Sequence, residues 1–157
     1  MPPKVAFFAW KASWGKVLTL EQLQMRGFSV ANRCFLCLFE AETVDHLLLH
    51  CVKTWVLWNI FFSLFGVSWT LSCIVKTTLL GWNGVFVGKR RKRAWQMAHL
   101  CIFWSVWKER NRLGFGNEEL SLQMLKYSFV CNLWSWVRVS LVKSPSSLVS
   151  FLDWIGS

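Results

Sequence analysis

The sequence predicts an all-α fold, a compact helical domain with a short loop around a C-x2-C pair, and three observations point to it. Apolar residues recur at three- and four-residue spacing along the whole chain, and no alternation of polar and apolar positions lasts long enough to argue for a sheet. Hydrophobic residues make up 54% of 157 positions, with 12 Trp and 13 Phe, so there is ample apolar surface to offset chain entropy. Three of the six cysteines and two of the three histidines fall in one stretch, CFLCLFEAETVDHLLLHC, from Cys34 to Cys51.

The elements follow in order. Val5 to Lys16 reads as a first helix, with Trp10 and Trp14 on one face and Gly15 near its end. Thr19 opens a shorter second helix: it can cap free amides, Gln22 sits at the reciprocal capping-box position, and Gly27 can close the helix in the left-handed conformation. Val44, Leu47, Leu48, Cys51, Trp55, Trp58, Phe62 and Phe65 then form one helical stripe. Residues 72–80 make a further helix candidate, and GWNGVFVGKRRKR is a Gly-punctuated connection into a long helix from about Arg91 to Arg112, ended by LGFG. An amphipathic helix over about 119–142, the segment KSPSS and a terminal turn with Phe151, Trp154 and Ile155 complete the chain. The natural division is 1–83, holding the Cys and His stretch, and 84–157, a helical extension packing on it.

Thr54 to Val75 runs 22 residues without a charge, close to the roughly 20 that span a bilayer. Asn59, Ser63, Gly66, Ser68, Thr70 and Ser72 interrupt it, and Gly66 stands where a buried helix would stop, so a membrane role is not expected. The N-terminal stretch lacks a signal-peptide layout, its short apolar run being broken by Lys11. Reduced cysteines and an intracellular location are the expectation.

Written as spacing, the cluster is C-x2-C-x8-H-x4-C, from Cys34, Cys37, His46 and Cys51. Two sulfurs three positions apart can bind one ion from a tight turn, whereas His46 and Cys51 reach the same ion only from a helix start or a locally distorted turn. Four soft or borderline ligands without a carboxylate describe one closed, structural Zn2+ site, so the loop is expected to be zinc-clipped. His50 is the alternative fourth ligand, four residues after His46. Two competing readings are buried apolar cysteines, the role expected of Cys73, Cys101 and Cys131, and a redox pair, which would want a βαβ pattern that is absent.

Four segments now carry a resemblance: PPKVAFFAWKASWGKVLTLEQLQMRGF, NRCFLCLFEAETVDHLLLHC, VLWNIFFSLFGVSW and FWSVWKERNRLGF. Together they resemble the zinc-binding region that follows the reverse transcriptase in plant LINE-type (non-LTR) retrotransposon polyproteins. The resemblance covers nearly the whole chain and implies that Cys34, Cys37, His46 and Cys51 are the ligand set, in agreement with their spacing. It also implies a polymerase as neighbour and partner. Polymerase and RNase H chemistry need clustered carboxylates that hold two metal ions, and this chain has two aspartates, Asp45 and Asp153. Asp45 is read as a helix-start charge or a support for its ligand neighbour, and no enzymatic role is expected.

The net charge is +10, so polyanions are the natural partners. Lys89, Arg90, Arg91, Lys92 and Arg93 stack five charges at the start of the long helix, where cations oppose the macrodipole and helix stability does not explain them. They are candidate sequence-independent phosphate contacts to RNA or DNA; a solvated face or a nuclear-import signal is the plainer alternative. Lys108 to Arg112 is weaker, since Glu109 moderates it, and Trp104 and Trp107 are assigned to packing. The expected role is a non-catalytic, zinc-binding accessory domain that binds nucleic acid. A scaffold packed on the polymerase, or a retroelement fragment without function, are the alternatives.

Overall fold

The computed structural model describes residues 2–68, 70–84, 87–89, 91–116, 119–140 and 146–156, and it is all-helical, with no strand among them. Helix α1 (Pro3–Ser13) starts with proline at its first position, where the missing amide is no loss, and closes on Gly15 at φ 64°. Helix α2 (Leu20–Met25) is capped as expected: the Gln22 amide donates to Thr19 Oγ1 at 3.4 Å. The reciprocal half of the capping box is not made, because the Gln22 side chain turns to Met25 Sδ. Gly27, at φ 91°, closes the helix.

The expected single stripe from Val44 to Phe65 is split in two. His46–His50 forms one π-helical turn, Cys51 leaves helical geometry at φ −56° and ψ 133°, and α3 (Val52–Phe65) begins after it. Gly66 ends α3 in the left-handed conformation, which halves the uncharged stretch that approached membrane length. No helix among the described residues is long and apolar enough to cross a membrane. Then come α4 (Val75–Gly81), a 3-10 turn at Trp82–Gly84, the long α5 (Lys92–Phe115) and α6 (Leu122–Ser140). The expected terminal turn is a full helix, α7 (Leu148–Gly156), whose Phe151 and Ile155 are buried.

Helix α5 is the central strut, touching α1, α3, α6 and the π turn. Around it lies a slab of aromatic rings: Trp82 and Trp95 stack at 4.5 Å with planes 8° apart, and Phe61 packs on both. Each of those indoles donates to the other residue's carbonyl, Trp82 Nε1 at 2.7 Å and Trp95 Nε1 at 3.1 Å, so two wide rings are buried with their only polar atoms satisfied. One core cluster runs from Val5 to Ile155, so packing is continuous across residues 83 and 84. Trp104 and Trp107 lie against Phe8 of α1, the packing role expected of them.

Candidate metal centre

Cys34 and Cys37 sit on a tight turn, closed by the Leu38 amide donating to the Cys34 carbonyl at 2.9 Å and by the Cys34 amide donating to Glu40 O at 2.8 Å. Leu38 takes φ 58°, the left-handed region that a side chain disfavours. The π turn solves the five-residue spacing on the other side. The Cys51 amide donates to the His46 carbonyl at 2.6 Å, an i to i+5 bond that widens the turn and brings residues 46 and 51 to one side. The locally distorted turn required by the spacing is therefore present.

Widening a turn leaves carbonyls without amides, and α3 answers them with side chains. Thr54 Oγ1 donates to the Leu47 carbonyl at 2.7 Å and Trp58 Nε1 to the Leu48 carbonyl at 3.0 Å. Asp45 reaches forward instead: its Oδ1 accepts the Val75 amide at 2.9 Å, tying the turn to the start of α4.

The three Sγ atoms of Cys34, Cys37 and Cys51 and one ring nitrogen of His46 all lie within 4.8 Å of one another. Cys34 Sγ is 3.9 Å from Cys51 Sγ, and Cys37 Sγ is 3.4 Å from His46 Nε2. A tetrahedron with zinc–sulfur bonds of about 2.3 Å and zinc–nitrogen bonds of about 2.0 Å has edges of roughly 3.8 Å between sulfurs and 3.5 Å between sulfur and nitrogen. The residues present fit such an ion. A sulfur separation of 3.9 Å is far beyond a disulfide, and all six cysteines are free thiols. His50 turns away, its Nε2 lying 3.0 Å from the Cys73 carbonyl, so the alternative ligand is not brought to the cluster.

The protons in the cluster are strongly displaced. The Cys34 thiol bonded to Cys51, aided by His46 and local amides against the cost of burial, pulls Cys51 down to about 4. Its bond to Cys51, together with burial, pushes Cys34 well above the ordinary thiol range. The bond with Cys51 also raises the His46 imidazole. One thiolate thus gathers the neighbouring protons, and an incoming cation would have to release them.

Glu42 went unread in the sequence. It is wholly buried, at 0% exposure, and holds the loop from inside. Its Oε1 accepts from the Leu20 amide at 3.1 Å and from Arg110 Nε and a terminal Arg110 nitrogen at 3.0 and 2.8 Å, while Oε2 accepts the Phe35 amide at 3.1 Å. Arg110 is itself sandwiched between the Phe35 and Trp107 rings, its guanidinium carbon 4.9 Å from each. A carboxylate that receives four donors meets the usual condition for burying a charge. The sequence signal lay in two of the segments that carried the resemblance, ETVDH and WKERN, which supply the two partners.

Lys89, Lys92 and Arg93 are exposed, and Arg90 lies outside the described residues. Arg91, expected among the phosphate contacts, is engaged in the fold. Its guanidinium donates to Val87 O at 3.2 Å, Phe65 O at 2.9 Å and Ile155 O at 2.8 Å, and it lies over the Phe65 ring. These carbonyls include ones from the last turns of α3 and α7, which helical hydrogen bonds leave without amides. Of the cysteines expected to be buried apolar groups, Cys101 is buried and Cys131 half-buried, but Cys73 is exposed because it lies in the link between α3 and α4.

Comparison with known proteins adds one finding. Residues 1–58 match the family model described as zinc-binding in reverse transcriptase. No curated protein and no solved structure matches the chain.

Proposed function

We propose, from the premise that residues 1–58 are a zinc-binding region of reverse-transcriptase type, that the chain is a non-catalytic module of a retroelement enzyme that binds nucleic acid. The observation that carries this reading is the set Cys34, Cys37, His46 and Cys51, gathered at tetrahedral spacing inside the family-matching segment. These four residues would hold one zinc ion, which when bound supplies structural cross-linking and no open coordination position. The module's own residues do the rest: Glu42 and Arg110 fix the loop to α5, and Lys89, Lys92 and Arg93 face solvent where a phosphate backbone can approach.

Native mass spectrometry of the wild type and Cys51→Ser tests the first half. One zinc per wild-type chain and none in the variant is expected; a folded chain without metal overturns it. Titration with labelled RNA across a salt series tests the second half. Three phosphate contacts predict that log affinity falls with log salt at a slope of about −2 for a single strand. A slope near zero, or no binding, leaves the scaffold reading. Leu38, Phe39 and Val52, exposed beside the ligand set, favour that reading, with a protein seated there instead.

A further inference from the structure

The outer face of α1 carries a feature that neither the zinc loop nor the basic run at α5 uses. Phe7, Trp10 and Trp14 follow one another at helical spacing and are 61%, 61% and 59% exposed. The inner face, with Val5, Phe8, Ala9 and Ala12, already fills the core, so the outward rings are surplus to packing. Phe7 and Trp10 lie nearly parallel, 28° apart with centroids at 6.0 Å. Lysines flank the rings. Lys11 Nζ stands 5.8 Å from the Phe7 ring, and Lys76 of α4 lies 4.6 Å from Trp14. Neither α1 nor α4 contains an acidic residue.

We propose that Phe7, Trp10 and Trp14, with Lys11 and Lys76, form a stacking platform for single-stranded nucleic acid. It shares its ligand class with the reading above but rests on different residues. Three considerations favour this occupant over a protein. Lysine is depleted in protein interfaces, and it is the only charged residue type on α1 and α4. Ammonium groups held beside ring edges and faces suit a ligand that presents a π-face and a phosphate together. The reach also suits a strand: Phe7 to Trp14 spans about 10 Å of helix axis, room for successive bases to meet successive rings.

The test uses the full zinc-loaded chain and a fluorescein-labelled 12-nucleotide RNA, alone or annealed to its complement, read by anisotropy. Stacking needs free base faces, so the single strand should bind at least tenfold tighter than the duplex. Phe7→Ala/Trp10→Ala/Trp14→Ala should lose at least tenfold in single-strand affinity while keeping zinc and helical circular dichroism. Trp10→Phe/Trp14→Phe should retain most of it, which separates stacking from a general surface effect. By contrast, Lys89→Ala/Lys92→Ala/Arg93→Ala should weaken strand and duplex alike. If only the aromatic variant loses binding, the platform stands and the α5 contacts fall. Single-strand affinity unchanged in the aromatic variant overturns the platform, as does equal binding of duplex and strand by the wild type. Dissociation of a wild-type dimer by the aromatic substitutions, without a change in RNA affinity, assigns the face to a second copy and also overturns it.

Discussion

A single buried carboxylate, Glu42, decides whether the Cys34–Cys37 turn is held. Removing Arg110 leaves that charge buried without its partner, so Arg110→Ala should cost about 3–5 kcal/mol in urea unfolding. Glu42→Gln/Arg110→Met should recover a large part of that loss, because a neutral replacement of the whole pair removes the orphaned charge while the introduced amide's carbonyl can still accept a backbone amide. His99 is the second residue with a measurable signature. Burial against Trp82 lowers it to about 3, and its Nδ1 has no hydrogen-bond partner among the described residues. The imidazole is therefore neutral when folded and charges near its ordinary value of about 6.5 when unfolded. Its contribution is complete above pH 6.5 and is lost as pH falls from there towards about 3. Within that window stability should drop by about 1.4 kcal/mol per pH unit on account of this group, and His99→Phe should flatten the slope in urea titrations between pH 6.5 and 5. The cluster of Cys34, Cys37, His46 and Cys51 was legible because metal chemistry restricts both residue type and spacing. Glu42 and His99 were not, since their roles depend on what lies across the core, which no local pattern encodes.

Among the elements, the π turn and the helix ends show how backbone groups are satisfied where regular helix fails. Arg91 serves carbonyls near the ends of α3 and α7 at once, so Arg91→Ala should lower stability by about 1–3 kcal/mol. Arg93→Ala, on an exposed position of the same turn, should leave the melting temperature nearly unchanged. The tight turn offers the opposite case. Leu38 holds φ 58° with its side chain in solvent, and Leu38→Gly should stabilise the metal-bound form by up to about 1 kcal/mol, seen as a higher melting temperature at full zinc occupancy. Helix existence was readable from periodicity, and the stops at Gly15, Gly27 and Gly66 from glycine alone. The break at Cys51 was hidden because Leu47, Leu48, Cys51 and Trp55 keep the three- and four-residue spacing of a regular helix straight through it. Arg91 looked like its neighbours in the basic run, since charge is visible in a sequence and a carbonyl from another helix is not.

Across the whole molecule, one core binds the family-matching segment to the helices beyond it. Trp95, Phe103 and Arg110 of α5 complete packing that begins in α1, α3 and the metal loop. A fragment of residues 1–83 should therefore show neither cooperative unfolding nor native-like near-ultraviolet circular dichroism, even with zinc added. A sharp transition in that fragment would mean that the loop and the first helices suffice. The Glu42–Arg110 pair also sets a timetable for synthesis. Its two residues are 68 positions apart, and at about 5–20 residues per second the ribosome delivers the arginine roughly 3–14 s after the glutamate. For most of that interval, from Cys51 onward, all four side chains of the cluster have already been made, while the carboxylate that must sit behind them has no counter-charge. Metal captured in those seconds would enter a loop still open to water, and closure would wait for the C-terminal part of α5 to arrive.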